Sequence, residues 1–236
     1  MSSQLPEAKP HPLIRSFGRR KSKGMRQTRE NALETVMATA EIKLPDGDGA
    51  VDPASFFATK PQEIWFEIGF GNGEHVLAQA ERNPHVGVIG CEPFINGVAA
   101  LCVGVEQAGA ENIRIWPDDA RVLMARFPDQ SLDRLFLLHA DPWPKARHHK
   151  RRFIQTETLD EIARLLKPGA ELRMATDHPG LAEWLLEKTE AHPAFEGPTQ
   201  KPEDRMTPPA DWPETRYGKK GIKQGRPPVY FIFKRR

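Results

Sequence analysis

Acidic residues and glycines recur where apolar segments of this sequence end. The turn GFGNG follows the apolar run EIWFEI; glycines let a backbone approach a ligand closely, and the start of the next helix offers free N–H groups. A carboxylate can accept both hydroxyl groups of a ribose, and several carboxylates together favour a cation. The acids are Glu67, Glu92 and Asp119, and the glycines are Gly69, Gly71 and Gly73. These residue types predict a site for a ligand that has a ribose and a positive charge.

The spacing of the glycines distinguishes this turn from a dinucleotide-binding loop. The pattern here is G-x-G-x-G, whereas the dinucleotide pattern G-x-G-x-x-G needs a glycine where Glu74 stands. Clustered carboxylates would also repel the pyrophosphate of NAD. Both features disfavour an NAD-dependent oxidoreductase. Asp119 has an alternative explanation, because Asp118 and Asp119 together are typical of a helix cap.

Residues 141–152, DPWPKARHHKRR, join one carboxylate to the densest group of cations in the chain. Lysine and arginine bind phosphates, and tryptophan and arginine stack on bases. The stretch therefore favours a nucleic-acid contact, with Trp143 either stacking on a base or packing under the loop. For Arg151 and Arg152 the alternative is that they begin a helix and face solvent. The five cations are Lys145, Arg147, Lys150, Arg151 and Arg152.

Charge is segregated along the rest of the chain as well. Residues 1–30 have eight basic residues against two acids, and residues 215–236 have eight basic residues and no acid, although the net charge is only +2. Basic segments on an otherwise acidic chain predict a positive face for a polyanion. The alternative for either tail is a solvated end without a partner.

Alternation of apolar strands with helical segments predicts an α/β fold. We expect a strand before the glycine turn and a helix after it, and the alternation continues to a fifth strand at AELRMATD. This order predicts a doubly wound, mostly parallel sheet that binds ligands at the carboxyl ends of its strands. The last strand, PVYFIFKRR, follows a long loop and is expected to be antiparallel. The other helices are predicted over 29–40, 94–107, 120–126, 151–166 and 181–191.

The chain is predicted to have two parts, with a basic, flexible arm and one short helix in residues 1–57 and the α/β domain in residues 58–236. No apolar run approaches the roughly 18 to 20 residues that span a bilayer, and no signal-peptide stretch is visible. We therefore expect a soluble, cytoplasmic protein without a membrane partner. Nothing in the sequence indicates an obligate protein partner.

The glycine turn and its acids resemble the nucleoside-binding half of class I S-adenosylmethionine-dependent methyltransferases, whose sheet is Rossmann-like. S-adenosylmethionine has a cationic sulfonium and no phosphate, so a pocket of carboxylates suits it. The run DPWPKARHHKRR is in addition similar to the signature of bacterial-type tRNA (guanine-N7-)-methyltransferases. The likeness extends from IRSFGRR near the N-terminus to TRYGKKG and VYFIFKRR near the C-terminus.

This resemblance implies methyl transfer from S-adenosylmethionine to N7 of a guanosine in tRNA, in the variable loop, with S-adenosylhomocysteine as product. It implies that Asp141 is the catalytic residue. The cofactor-binding positions correspond to Glu67, Gly69, Gly71, Gly73, Glu92, Asp119 and Asp141. The substrate-binding positions correspond to Lys145, Asp177, Thr215, Arg216, Tyr217 and Gly218. The cations expected to meet the RNA backbone are, besides Lys145, Arg147, Lys150, Arg151 and Arg152.

Two positions depart from the family pattern. The C-terminal element usually reads Thr-x-x-Glu, but Thr215 is followed by Gly218 at the fourth position, so a carboxylate expected near the guanine is missing. Before Asp141 the family usually has Phe-Pro, and this chain has His139 and Ala140. The missing acid leaves a non-catalytic RNA-binding module open. The turn itself leaves open an amino methyltransferase of nucleic acids, which uses an Asp-Pro-Pro-Tyr-like turn at this strand end.

The sequence predicts neither a metal centre nor a disulfide. His148 and His149 are adjacent and have no third ligand nearby, so RNA contact or packing accounts for them better than a metal. Cys91 and Cys102 fit no zinc pattern and no disulfide framework. We expect both cysteines to be reduced packing residues.

Overall fold

Within the part of the chain that the structure describes, seven strands form one mixed sheet. This computed structural model describes Arg20 and residues 24–236, except for the side chain of Tyr217. The strands are β1 (Glu63–Ile68), β2 (Val86–Cys91), β3 (Ile113–Trp116), β4 (Leu132–Leu138), β5 (Leu166–Thr176), β6 (Phe195–Glu196) and β7 (Val229–Arg235). The helices are α1 (Gln27–Ala40), α2 (Glu74–Arg82), α3 (Ile95–Ala108), α4 (Ala120–Met124), α5 (Thr156–Leu165), α6 (Pro179–Glu190) and α7 (Arg216–Lys223). Short 3-10 helices lie at Pro53–Phe56, Ala146–Arg151 and Pro202–Asp204.

The strand order is β3-β2-β1-β4-β5-β7-β6. Strands β1 to β5 are parallel to one another, whereas β7 is antiparallel to β5 and β6 is antiparallel to β7. The predicted doubly wound sheet with an antiparallel last strand is thus confirmed. The chain direction across the sheet reverses between β1 and β4, and such a reversal leaves a crevice at the carboxyl ends of the two strands.

The central strands are buried on both faces, as expected for a parallel sheet covered by helices. Along β1, Trp65 packs into one apolar cluster and Phe66 into the other. All six residues of β2 are buried. Because both faces are covered, the accessible side chains of these strands concentrate at the strand ends, where the crevice lies.

The N-terminal helix is part of the packed structure. Ala32, Leu33 and Val36 of α1 are buried in the same apolar cluster as residues of α3, and the N–H of Ile42 donates to the backbone oxygen of Ile115 at 2.9 Å. The predicted division between residues 57 and 58 stays a prediction, and residues 1–19 and 21–23 of the expected basic arm lie outside the described residues. Among the described residues, no helix combines the length and the apolar character needed to cross a membrane.

Several elements differ from the expected ones. Helix α5 begins at Thr156 and not at residue 151, because Gln155 and Thr158 form a capping box that starts the helix there. Strand β5 begins earlier than expected, at Leu166, and includes Pro168 and Gly169, two residue types that are typical of the end of a helix. Helix α7 was not predicted, since its sequence RYGKKGIK is only eight residues long and has two glycines.

Candidate active site

A cavity of about 730 Å³ lies at the carboxyl ends of β1, β2 and β4. The predicted site residues that line it are Glu67, Gly69, Gly71, Glu92, Asp119, Asp141, Lys150, Arg151, Arg152 and Thr215. The predicted residues outside this lining are Gly73, Lys145, Arg147, Asp177, Arg216 and Gly218. The side chain of Tyr217 lies outside the described residues. Most of the predicted cofactor positions and part of the cationic stretch therefore meet in one cavity.

The glycine turn after β1 has a backbone conformation that favours glycine, and a further glycine, in α3, packs against it. Gly69, Gly71 and Gly73 have φ angles of 71°, 59° and 77°, in the left-handed region that favours glycine. A Cβ on Gly97 of α3 would lie 2.2 Å from the backbone oxygen of Gly71, so the helix touches the turn backbone directly. Gly97 was not predicted to belong to the site, although a glycine in the first turn of a helix can indicate that another segment of the backbone approaches the helix closely.

Glu92 joins the glycine turn to the end of β2. Its Oε2 accepts a hydrogen bond from the N–H of Gly71 at 2.8 Å, and its Oε1 accepts one from the N–H of Phe94 at 2.9 Å. Burial raises the pKa of Glu92, although the two backbone hydrogen bonds oppose the rise. A carboxylate has about four lone-pair sites, so this one can still accept hydrogen bonds from the hydroxyl groups of a ribose.

Glu67 lies at the end of β1 with only 2% of its surface exposed. Its Oε2 is 2.6 Å from Nδ1 of His75, in the first turn of α2. His75 lines the same cavity and was missed in the sequence, where a histidine beside a glycine turn has no distinctive spacing. The contact with His75 orients the carboxylate of Glu67 within the protein.

Asp119 caps α4, as one explanation of the sequence expected, and it also lines the cavity. Its Oδ1 accepts hydrogen bonds from the backbone N–H and Nε of Arg121, at 3.0 and 2.9 Å. Burial raises the pKa of Asp119, but the hydrogen bonds from Arg121 outweigh burial, and the pKa lies below its ordinary value. The neighbouring Asp118 forms an ion pair with Arg20.

The loop after β4 is held in an unusual conformation. His139 and Trp143 have φ angles of 51° and 42°, which side chains rarely adopt. The N–H of His139 donates to Ala175 of β5 at 2.7 Å. Asp141, between the two strained residues, is exposed and lines the cavity. The two strained residues flank Asp141, for which catalysis was predicted.

Arg152 is buried beside the loop after β4 and binds its backbone. It is 4% exposed, and its guanidinium donates to the backbone oxygens of Pro142 and Gly180 at 2.9 and 3.0 Å. It also lies over the ring of Trp184, 5.1 Å from its centroid. The predicted contact of Arg152 with RNA stays a prediction, and two of the five N–H donors of its guanidinium are already used within the protein.

The remaining cations of the stretch lie nearer to solvent. Lys145, Arg147 and Lys150 are exposed, on or beside the 3-10 helix at Ala146–Arg151. Arg151 lies over the ring of Trp143, 5.0 Å from its centroid. Trp143 therefore packs within the loop and also lines the cavity, so neither explanation of this residue is eliminated.

Asp177 lies after β5, between two basic side chains. Its Oδ1 is 3.9 Å from Nδ1 of His139, and its Oδ2 is 3.6 Å from a guanidinium nitrogen of Arg226. Burial lowers the pKa of His139, and the negative charge of Asp177 opposes that change. Asp177 is thus placed beside the cavity loop, although outside the lining.

Helix α7 joins the site at its N-terminus. Oγ1 of Thr215 accepts a hydrogen bond from the N–H of Gly218 at 3.2 Å, which caps the helix. The N–H of Arg216 donates to the carboxylate of Glu74 in the first turn of α2. Gly218 therefore contributes a backbone donor to the cap and no side chain. Among the residues that the structure describes, no group of histidine, cysteine and acidic side chains is arranged for a metal.

Comparison of the amino-acid sequence with those of known proteins shows the family to which this chain belongs. A family model described as "Putative methyltransferase" matches residues 61–231. The tRNA (guanine-N(7)-)-methyltransferase of Rhodospirillum rubrum is 46% identical, over 98% of this chain and 91% of the relative. The enzyme of the same name from Paracoccus denitrificans is 42% identical, over 98% of this chain and 100% of the relative. The chain belongs to the tRNA (guanine-N7-)-methyltransferase family.

A solved structure has the same fold as this chain. An aminoglycoside resistance methyltransferase superposes with a TM-score of 0.52 at 19% identity, over 75% of this chain and 88% of that chain. The similarity supports the Rossmann-like fold of class I methyltransferases, as predicted. The predictions of a tRNA (guanine-N7-)-methyltransferase and of S-adenosylmethionine as its methyl donor are confirmed by the family. The two other enzyme classes raised by the sequence, an oxidoreductase and an amino methyltransferase, are not supported.

The cavity of this tRNA (guanine-N7-)-methyltransferase family member fits the cofactor. The contact between α3 and the turn leaves room only for glycine at position 97, and Glu92 at the end of β2 has acceptor sites for a ribose. Buried carboxylates at the ends of β1 and β2 suit a sulfonium cation. When bound, S-adenosylmethionine supplies an electrophilic methyl group at this place.

Proposed function

We propose that this protein, in the cytoplasm, transfers the methyl group of S-adenosylmethionine to N7 of a guanosine in the variable loop of tRNA. The position of Asp141 is the observation that supports the proposal most directly. Asp141 lines one cavity together with the buried Glu67 and Glu92 and with the cations Lys150 and Arg151. A cationic methyl donor and a polyanionic RNA have to meet at such a boundary.

The reaction requires orientation more than proton transfer. N7 of a neutral guanine has an in-plane lone pair and no proton, so it can attack the methyl carbon without a base. The positive charge moves from the sulfonium to the guanine, and S-adenosylhomocysteine is released. Placing the two reactants in line is worth roughly 7 to 11 kcal/mol. The protein has to supply that placement and carboxylates where positive charge develops.

Asp141 is the catalytic residue of this proposal. It lies on a loop whose backbone is bound to Ala175 on one side and to Arg152 on the other, so the loop that carries it is held in place before the substrate arrives. It orients the guanine through N1–H and the exocyclic amine, or it stabilises the cationic product. The proposed cofactor contacts are Glu67, Gly69, Gly71, Gly73, Glu92, Asp119 and Asp141.

Asp177 and helix α7 form the proposed guanine side of the site. Asp177 is close to His139 of the catalytic loop, and Thr215 lines the cavity. The carboxylate of Asp177 can also accept a hydrogen bond from N1–H or from the exocyclic amine of the guanine. The proposed substrate-binding residues are Lys145, Asp177, Thr215, Arg216, Tyr217 and Gly218.

The cations after Asp141 are proposed to bind the RNA backbone. The exposure of Arg147 and Lys150 supports this role, because phosphates can reach them without displacing protein contacts. Arg151 lines the cavity and adds charge near the base. Arg152 stays in the proposed set, and its bonds to two backbone oxygens make it the cation that also shapes the loop.

Incubation of unmodified tRNA with labelled S-adenosylmethionine tests the proposal. Reduction and aniline treatment afterwards cleave RNA at N7-methylguanosine. We expect label in the tRNA and one cleavage in the variable loop. Label with cleavage elsewhere would contradict the position, and label without cleavage would contradict N7 as the acceptor. RNA binding without any label would favour the non-catalytic module that Gly218 left open.

A further inference from the structure

A buried chain of hydrogen bonds runs from Glu67 into the body of the protein. Nδ1 of His75 lies 2.6 Å from Oε2 of Glu67, and Nε2 of the same ring lies 3.2 Å from Nε2 of Gln79. The exposed fractions of Glu67, His75 and Gln79 are 2%, 3% and 1%. Buried polar groups at such distances constrain one another, so the orientation of the Glu67 carboxylate depends on both partners.

The other contacts of Gln79 determine which nitrogen of His75 has the proton. Nδ2 of Asn83 donates to Oε1 of Gln79 at 3.4 Å, and Nε2 of Gln79 donates to the backbone oxygen of Asp211 at 3.1 Å. The second hydrogen of the Gln79 amide then points to Nε2 of His75. A ring nitrogen that accepts a hydrogen bond has no proton. The proton is therefore on Nδ1, which donates to Glu67.

Aromatic rings enclose His75 on two sides. Its centroid is 4.6 Å from that of Phe136 and 5.4 Å from that of Trp212. The residue before Trp212, Asp211, is bound by a guanidinium nitrogen of Arg173 at 2.7 and 2.8 Å, which anchors this segment to the sheet. The ring is thereby fixed in one orientation, and this enclosure accounts for its small exposed surface.

We propose that His75 is a positioning residue that orients the carboxylate of Glu67 toward the cofactor as a neutral hydrogen-bond donor. A lysine or arginine in the same place would donate equally well but would cancel the negative charge of Glu67. A neutral imidazole leaves that charge available to a cation, and in a buried site the attraction is stronger than in water. The inference rests on the proposed function only in taking S-adenosylmethionine as the cation.

Two variants separate hydrogen bonding from packing. His75→Phe keeps a ring between Phe136 and Trp212 and removes the donor, whereas His75→Asn removes the ring and keeps an N–H donor where Nδ1 was. We expect His75→Phe to weaken S-adenosylmethionine binding about tenfold, the scale of one hydrogen bond to a charged group, and His75→Asn to recover most of it. Titration calorimetry without tRNA measures both. Unchanged binding by the Phe variant, or an Asn variant no better than Phe, would overturn the proposal.

Nitrogen-15 NMR of the histidine rings in the unsubstituted protein tests the tautomer without any substitution. We expect the His75 ring to have a protonated Nδ1 and an unprotonated Nε2, with or without S-adenosylmethionine. A proton on Nε2 would refute the neutral-donor role. Both measurements are made without tRNA, so a failure of methyl transfer would count against the proposed function and leave this inference separately decidable.

Discussion

The two sides of the cavity are constructed differently. On the cofactor side, Glu67 and Glu92 are 2% and 8% exposed, and both accept hydrogen bonds from the protein. On the proposed RNA side, Asp141 in the cavity and Lys145 and Arg147 outside its lining are exposed. A buried carboxylate needs its partners in place because desolvation without them is costly, whereas exposed cations are solvated until phosphates replace water and counterions. The difference is what we expect if, as proposed, a preformed cofactor site lies beside a surface that RNA completes.

The largest effect is expected from Asp141→Ala. Because Asp141 is the proposed catalytic residue but only one of several proposed cofactor contacts, turnover should fall by about 100-fold or more and cofactor affinity by much less. Single-turnover methylation of tRNA and calorimetry with S-adenosylmethionine give the two quantities. An equal loss of both would remove the distinction between the two sides.

Gly97→Ala should damage the preformed side. The added Cβ would lie 2.2 Å from the backbone oxygen of Gly71, so the turn or α3 must move. We expect a loss of about 1–3 kcal/mol in the free energy of unfolding, together with weaker cofactor binding. Denaturant unfolding and calorimetry measure them. Gly180→Ala is the matched control in the first turn of another helix, where the nearest atom is at 3.6 Å. Equal behaviour of the two variants would contradict the close approach.

The exposed side should respond to salt. Replacing Arg147 and Lys150 with alanine removes two proposed phosphate contacts, so the slope of log affinity for tRNA against log salt should decrease by about 1 to 2. Filter binding over a range of salt concentrations measures the slope. Lys60→Ala, before the amino end of β1 at the opposite edge of the sheet, is the control. If the double variant keeps the slope of the unsubstituted protein, these cations do not bind phosphate.

The smallest effect concerns pH. Burial raises the pKa of Glu92, so on acidification Glu92 takes up a proton at a higher pH than an ordinary glutamate does. Its negative charge is lost in that window, and S-adenosylmethionine affinity should begin to fall while exposed glutamates are still ionised. Calorimetry over a series of pH values checks this. Glu92→Gln should bind more weakly but should lack this decline, and an identical pH profile for the two proteins would assign the change to another group.

Local sequence was sufficient to predict that these acids lie together. Glu67, Glu92 and Asp119 are at or just after the ends of successive strands, and parallel strands bring their carboxyl ends to one edge of the sheet. The contacts that orient these acids were not predictable. His75 and Gly97 reach them because particular helix faces pack against the turn, and no spacing in the sequence specifies which faces these are.

The RNA side was predictable in charge but not in the division of roles. The run KARHHKRR indicated cations for a polyanion, and nothing in it distinguished Arg152 from Arg151. The structure places Arg152 under the loop, where backbone oxygens of Pro142 and Gly180 need a donor. Helix α7 was not predicted either, because a helix of eight residues with two glycines depends on its cap at Thr215 and on tertiary contacts.

Sequence alone determined the α/β alternation, the positions of the acids at strand ends and the family resemblance of the cationic run. Each of these is a property of residue order, either through short-range periodicity or through a contiguous motif. Tertiary structure decided which carboxylates are buried and oriented, which arginine supports the loop of Asp141, and that His75 partners Glu67. Those outcomes depend on contacts between residues far apart in the chain, and such contacts exist only once the sheet and helices have packed.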